Sequence, residues 1–585
     1  MAATSSGASD GTQERENLQK TDDNDSKNKN SRNRDYPDGV SSTEATIKEE
    51  KDPGEALESA LAQLGHFRLY QRYNMIMLCL PNLLAAMYTL NYVFVADQVP
   101  FRCVVPECEG TSDISFVNES AQALLPADSR CRRYSPLLDG ASCDRDHFHL
   151  NNTQDCDMFV YENLDTTFAE FGLACSEWRR TLVGTVRNSA LPLALLLTGY
   201  ISDAWGRRTA FCIFSFFAGL MGIIKAFSVN YQMYVAVEFF EAALGYGFNS
   251  AAYIMMVELA RPSLRAAFSC ATGVAYGLGG VLFALIAWLV PYWRRLLVVI
   301  HTPALLLPLY WLLVDESARW LHVTGKTDKT AAVIRKAARW NKITLDEEVM
   351  KSLEKDCQKT ESQPRGNPWA SLLRSRVLLG RFAVCCWCWV ATTFVYYGLT
   401  INSVSLSGDK YVNFALNMSM EVVASLLIMM ALERFGRRRS IFIAFLLCGV
   451  ACVTPYFVSH TGTGLGLFFV GKLAITFAFN SVYVFTAELF PTGTRSSALA
   501  ACSLVGRLGS ILAPQTPLLN LYVQALLYGA CSLTGALAVL AVPETRRARL
   551  PLLVDDAERM RRDVLDDHVP PPPSPPRPTV LSADS

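Results

Sequence analysis

What this chain has least of is charge. Aspartate, glutamate, lysine and arginine make up 18% of its 585 residues, against 51% hydrophobic ones, a balance too apolar for a string of soluble domains. Histidine occurs 7 times, and no nucleophile triad, glycine-rich phosphate loop or paired metal-ligand motif stands out, so an enzyme would have no visible seat for its chemistry. No cofactor is expected, and ATP as an energy source is set aside. The formal net charge of +0 conceals a separation of charged from apolar stretches, and no nucleic-acid partner is expected. Residues 1–57 are polar, rich in Ser, Asp, Asn and Lys, and lack an apolar run that could serve as a secretory signal. They read as a disordered cytosolic tail.

Long apolar runs are what the chain has in abundance. A helix needs about 20 residues to cross about 30 Å of hydrocarbon. Twelve runs of that length begin near Tyr73, Thr181, Thr209, Tyr231, Leu264, Leu296, Val377, Tyr411, Ser440, Leu465, Ser496 and Leu521. The fold class predicted is an all-α membrane protein of twelve transmembrane helices in a lipid bilayer. Its expected divisions are a tail with a short lead-in helix over 1–72, a first half over 73–315 with a large outer loop at 97–178, a helix-bearing cytosolic loop over 316–376, a second half over 377–542 and a proline-rich tail over 543–585.

The two halves repeat one another. YIMMVELARPSLR, Tyr253 to Arg265, returns as YVFTAELFPTGTR, Tyr483 to Arg495, so that Glu258 matches Glu488 and Arg265 matches Arg495, each 230 residues on. In DAWGRR and ERFGRR the same offset carries Asp203, Gly206, Arg207 and Arg208 onto Glu433, Gly436, Arg437 and Arg438. Two motifs in one register indicate an internal duplication, and duplicated six-helix halves imply a central cavity, a transport route, between them.

Arginines at 207–208, 434–439 and 546–549 mark one face as cytosolic, and twelve spans then place both termini there. The outer loop holds Cys103, Cys108, Cys131, Cys143, Cys156 and Cys175, an even set in an oxidising compartment, with sequons at Asn118 and Asn151. A disulfide-bonded, glycosylated cap is expected, with its pairing left open. At the cytosolic mouths the repeated motifs set Asp203 beside Arg207 and Arg208, Glu258 beside Arg265, Glu433 beside Arg437 and Glu488 beside Arg495. Bidentate pairing of such groups would latch the halves in one orientation, a cytosolic gate.

GYISDAWGRR, DESARWL at Asp315 to Leu321, YYGLTIN at Tyr396 to Asn402, AELFPTGTR at Ala487 to Arg495 and PETR at Pro543 to Arg546 together resemble the organic cation, anion and zwitterion (carnitine) transporters of the major facilitator superfamily. The resemblance covers about residues 60 to 550. It implies a polyspecific carrier of small organic ions in the plasma membrane, working by alternating access. Arg507, deep in the eleventh span, stands where the family's cation carriers have aspartate and its anion and carnitine carriers have arginine, which implies a substrate with an anionic group. Glu421 matches a common family acid, and a permanent Arg507–Glu421 pair is the structural alternative. The resemblance sets the rings of Tyr396 and Tyr397 against the substrate, and Phe479 and Tyr483 are further candidates. A cation can gain about 0.5 to 2 kcal/mol over such a face.

The fourth span departs from the family, with Glu238 and Glu241 three apart on nearly one helix face, and internal pairing with Arg187 is the favoured reading. Cys385, Cys386 and Cys388 in an apolar helix read as packing, and His147 and His149 as solvated loop residues, so no metal site is expected. A PxxPxR arrangement in Pro572 to Arg577 suits an SH3-type adaptor. A co-transported ion is a further expected partner. The competing function is a receptor that keeps the transporter fold but binds through its glycosylated loop.

Overall fold

The computed structural model describes residues 55–65, 67–109, 114–127, 129–137, 143–260, 264–359, 374–457, 460–546, 551 and 554–560. The polar stretch 1–54 and the proline-rich segment with its adaptor motif lie outside the described residues. With no water in hydrocarbon to satisfy peptide groups, each apolar run has to close its own hydrogen bonds as a helix. Ten do so as long apolar helices: Leu69–Val95, Glu177–Trp205, Arg207–Ala226, Ala267–Leu289, Trp293–Leu313, Arg376–Ser405, Lys410–Phe435, Gly462–Leu489, Thr494–Leu518 and Leu521–Leu540. Two more complete the set. Span 4 is broken into Tyr231–Gly245 and Gly247–Leu259 about Tyr246, and its apolar character is cut by two glutamates. Span 9 is the short helix Arg437–Val453, continued by a 3₁₀ turn at Thr454–Phe457. Span 1 starts four residues before its apolar run, because the Tyr70 N–H is taken up by Asn341 Oδ1 at 2.9 Å.

The duplication extends to how helices touch. A Cβ on Gly279 of span 5 would meet the Leu83 carbonyl of span 1, and one on Gly509 of span 11 would meet the Val390 carbonyl of span 7. These glycines correspond across the repeat, so each half is drawn together at the same close approach. Between the halves, span 2 meets span 11, and span 5 meets span 8 along the faces of Gly277 and Gly280. Hydrogen bonds joining the halves gather at the face that carries the cysteine-rich loop: Thr181 Oγ1 to Gln515 at 3.1 Å, Gln515 Nε2 to Thr185 at 2.6 Å, and the Lys410–Asp97 ion pair at 2.7 Å. Phe94 packs on Tyr411 and Phe414 beside them. These contacts tie the two halves together at that face.

The loop itself contains two small antiparallel sheets, Phe101–Cys103 with Phe159–Tyr161, and Arg132–Pro136 with Phe148–Asp155, the second bulged at Tyr134/Ser135. Three disulfides staple it, Cys103–Cys156, Cys108–Cys143 and Cys131–Cys175, a connectivity the sequence left open. Glu170 anchors the loop to the first half, accepting from Trp293 Nε1 at 2.6 Å and Arg294 Nε at 2.9 Å. Asn118 caps a short helix and donates to Glu109, whereas Asn151 is exposed on its strand. On the opposite face Glu55–Gln63, Ala318–Val323, Thr327–Asn341 and Glu347–Lys359 are helical, and Leu57, Ala60, Ile334, Met350 and Leu353 form a small core there.

Among the described residues, the most deeply buried ion pair of the loop joins Arg102 to Glu109. Burial opposes ionisation of Glu109, yet the Arg102 guanidinium, the Val105 N–H and Asn118 outweigh it and hold the carboxyl below its ordinary value. A depressed carboxyl stabilises the fold above the unfolded-state value of about 4.3 and loses that contribution as pH falls through the folded value. Protection of the loop amides, measured against their intrinsic exchange rates, should therefore fall below about pH 4. Glu109→Gln should produce faster exchange already at neutral pH, with a loss of about 3 kcal/mol from an unpaired buried Arg102.

Candidate functional site

At the arginine-rich face each half builds the same knot. Span 2 ends on Gly206 at φ 107°, a left-handed turn that glycine alone adopts freely, and a Cβ there would also strike Glu316. The first N–H groups of span 3, which no helical carbonyl can satisfy, go to the Glu316 carboxylate: Arg207 N at 3.0 Å and Arg208 N at 3.1 Å. The Arg207 side chain then donates to Glu258 at 3.1 Å and to Asp203 at 2.8 Å. In the second half Gly436 has φ 91°, the Arg437 and Arg438 N–H groups donate to Glu544 at 2.8 and 3.1 Å, and Arg437 Nε donates to Glu488 at 3.2 Å. Arg208 lies over the Trp311 ring at 4.1 Å, and Arg438 donates to the Leu540 carbonyl.

These partners differ from those expected. Glu258 and Glu488 take Arg207 and Arg437, not Arg265 and Arg495, because the turn before span 3 and its counterpart before span 9 lie against the ends of spans 4 and 10. Arg265 and Glu433 are exposed. Every ion pair that these groups form among the described residues stays within one half. Three buried atoms have no hydrogen-bond partner among the described residues: Glu258 Oε2 in the first half, and Arg495 Nε and Nη2 in the second. Glu316 and Glu544 were not singled out in the sequence, although both follow the last turn of a half, in DESARWL and PETR.

Midway through the bundle, Arg507 of span 11 is 6% exposed and is faced by the phenols of Tyr246, Tyr397 and Tyr483. Its nearest hydrogen-bond contact is Tyr246 Oη at 3.5 Å, and its Nε has no partner. No carboxylate among the described residues comes within ion-pair distance of it. Glu421 is engaged elsewhere, with Lys472 of span 10 at 2.9 Å and Thr476 at 3.2 Å. The expected alternative of an Arg507–Glu421 pair is thereby corrected: the partner of Glu421 is Lys472, a lysine facing span 8. Lys472 also sits 3.5 Å over the Tyr396 ring and donates to Thr400. Tyr396 stacks on Phe479 at 5.2 Å, Tyr397 lies edge-on to Tyr396, and Tyr483 meets Trp389 at 4.2 Å. The structure thus gathers Arg507, Tyr396, Tyr397, Glu421, Phe479 and Tyr483 around one region, and adds Tyr246 and Lys472. Glu421 and Lys472 neutralise each other, so Arg507 contributes an uncompensated positive charge.

The first half holds a second buried ionic cluster. Arg187 binds Glu238 at 2.7 Å and Glu241 at 3.1 Å, and Lys225 binds Glu238 at 2.8 Å and also Glu241. Lys225 of span 3 is the additional partner, and His301 of span 6 faces Glu241 from the other side at 3.5 Å.

The chain as a whole is similar to known proteins. A family described as "Sugar (and other) transporter" matches residues 145–551. The Organic cation transporter protein of Drosophila melanogaster is 30% identical over 525 residues, covering 86% of this chain and 94% of its own. Organic cation/carnitine transporter 2 of Rattus norvegicus is 28% identical over 534 residues, covering 86% and 94%. Among solved structures, the inward open conformation of the xylose transporter XylE from E. coli superposes with a TM-score of 0.57 at 15% identity, over 84% of this chain and 100% of that one.

The Gly206 knot predicts a sharp local requirement. Gly206→Ala combines an unfavourable φ with a clash on Glu316 and should lower stability by about 1 to 3 kcal/mol, read as a reduced Tm in detergent. Gly199→Ala, with open space around its Cβ, should leave Tm unchanged or slightly higher.

Proposed function

This chain belongs to the organic-ion transporters of the major facilitator superfamily, and from that premise we infer that it carries small zwitterions or organic anions of the carnitine kind across the plasma membrane. It is a multi-pass transporter of organic ions and not an enzyme. The single observation behind the narrower substrate class is Arg507, a buried guanidinium faced by phenols, with an Nε that has no partner and no carboxylate within ion-pair reach among the described residues, beside an acid already matched by its own lysine. A substrate carboxylate supplies the missing counter-charge and bidentate hydrogen bonds. An ammonium on the same molecule is met by the faces of Tyr397, Phe479 and Tyr483.

Orientation follows from the oxidising chemistry of the loop and the arginine-rich opposite face, so the loop is extracellular and both termini are cytosolic. Asn151, exposed on its strand, is the favoured glycosylation site; Asn118, whose amide is engaged, is the secondary one. The form described is closed to the outside. In alternating access the cytosolic mouth must close in turn, and the repeat suggests how. Glu258 keeps a free buried oxygen in one half while Arg495 keeps free buried nitrogens in the other, and their equivalents are Glu488 and Arg265. Crosswise pairing, Glu258 with Arg495 and Glu488 with Arg265, latches the closed mouth. The knots of Arg207 and Arg437 keep each half rigid as it rocks.

In cells expressing the protein, uptake of labelled carnitine, a dicarboxylate and tetraethylammonium tests the substrate class. Carnitine or the dicarboxylate should enter, and Arg507→Asp should reduce that uptake by about tenfold or more, the effect of about 1.4 kcal/mol or more of lost interaction. Entry of tetraethylammonium alone, unchanged in the variant, would contradict the assignment. Charge reversal tests the latch: Glu258→Arg and Arg495→Glu should each slow uptake, with partial recovery in the double variant, and additive losses would argue against the pair.

A further inference from the structure

His301 is fully buried at the turn where span 6 passes from α-helix to 3₁₀ helix. Its Nδ1 lies 2.9 Å from the Leu297 carbonyl oxygen, which only accepts. Its Nε2 faces Glu241 Oε1 at 3.5 Å and makes no hydrogen bond. A neutral imidazole has one N–H and one lone pair. With the proton on Nδ1, a lone pair points at a carboxylate; with it on Nε2, a lone pair points at a carbonyl. Either tautomer leaves two acceptors in opposition, and one additional proton, held between Nε2 and Glu241, removes the conflict. The ring is held for this role by stacking on Tyr88 at 4.8 Å and by Gly222, where any Cβ would overlap it.

The surroundings keep count of charge. Span 2 offers Arg187, span 3 Lys225, span 4 Glu238, Glu241 and Tyr234, and span 1 Tyr88 and Asn91. Two acids and two bases cancel, so the extra proton brings the cluster to +1. A small space lies beside the cluster. A small cavity touches Glu241, Arg187, Tyr88, Thr89 and Asn249 and reaches Tyr246. Among the described residues, Tyr88 Oη and Asn249 Oδ1 on its wall have no hydrogen-bond partner, and a single water there would satisfy both. Tyr246 sits at the break of span 4 and is the phenol that meets Arg507.

We propose that His301 and Glu241 form a proton-binding site coupled through Tyr246 to the substrate site at Arg507, so that an anionic or zwitterionic substrate moves together with a proton. This deepens the transport reading and rests on it. The proton comes from water in the cavity and is held by Nε2 and the carboxylate, with no other bond broken. Its positive charge sits on the Tyr246 side of the route and favours an anionic group there.

Wild-type and His301→Gln protein are reconstituted in liposomes containing a pH-sensitive dye, and uptake of labelled carnitine and of a dicarboxylate is followed from about pH 5.5 to about pH 7.5. Wild-type uptake should be about tenfold higher at the acid end, with substrate-dependent acidification of the lumen. The variant should show a flat pH profile and no proton movement. Wild-type uptake without proton movement, or an unaltered profile in the variant, overturns the proposal while leaving transport intact. If neither probe enters, the transport reading fails, and the proton site is judged by the Tm of detergent-solubilised protein. A pH dependence across that range in wild type, absent in His301→Gln, sustains the site, and a pH-independent wild type rejects it. The wild-type arms stand without the variant should it not fold.

Discussion

The structure depends on one constraint: inside hydrocarbon a charge must meet its opposite within the protein, since no water is there to meet it. Lys225, Arg187, Glu238 and Glu241 solve it four at a time, and Glu421 with Lys472 solves it as a couple. These matched groups hold spans 2, 3 and 4 together, and span 8 against span 10. Arg507 stands out because, among the described residues, no side-chain acid meets the same constraint there. A residue that satisfies the rule is part of the scaffold; one that leaves it open is where a solute belongs.

Much of the fold was legible in the sequence because a lipid bilayer enforces a simple length and composition on each span. The twelve apolar runs are the twelve spans, and the 230-residue repeat is visible in space as the matched close approaches of Gly279 and Gly509. Partner choice was less legible. Glu258 was expected beside Arg265, seven residues away in its own motif, but it pairs with Arg207, 51 residues earlier, because the turn into span 3 folds against the end of span 4. The same holds for Glu421, whose lysine comes from a span two further along. Glu316 and Glu544 escaped notice because capping a helix in a distant part of the chain leaves no local pattern. Arg507 and the ring cluster were legible only through resemblance to a family, since a tyrosine in a membrane helix has many ordinary uses.

The duplication also explains why the two halves differ where they do. Their knots are near copies, down to a left-handed glycine and a carboxylate on the next helix's N–H groups. Their buried charges are not. The first half gathers five ionisable groups, Glu241 among them, whereas the second sets the Glu421–Lys472 couple near Arg507. The mechanical parts have been kept in both halves while the parts facing the route have diverged.

The outer cap is tied to one side only in its strongest contacts. Glu170 grips Trp293 and Arg294 of the first half, and Thr167 bonds to the Val95 carbonyl of the same half, while the second half reaches across through Lys410 to Asp97. When the halves part on that side, the stapled cap travels as cargo of the first half, and the lysine contact is the tether that must let go. A solute arriving from outside then enters a lopsided vestibule, one wall hardened by three disulfides and the other a bare pair of helix ends.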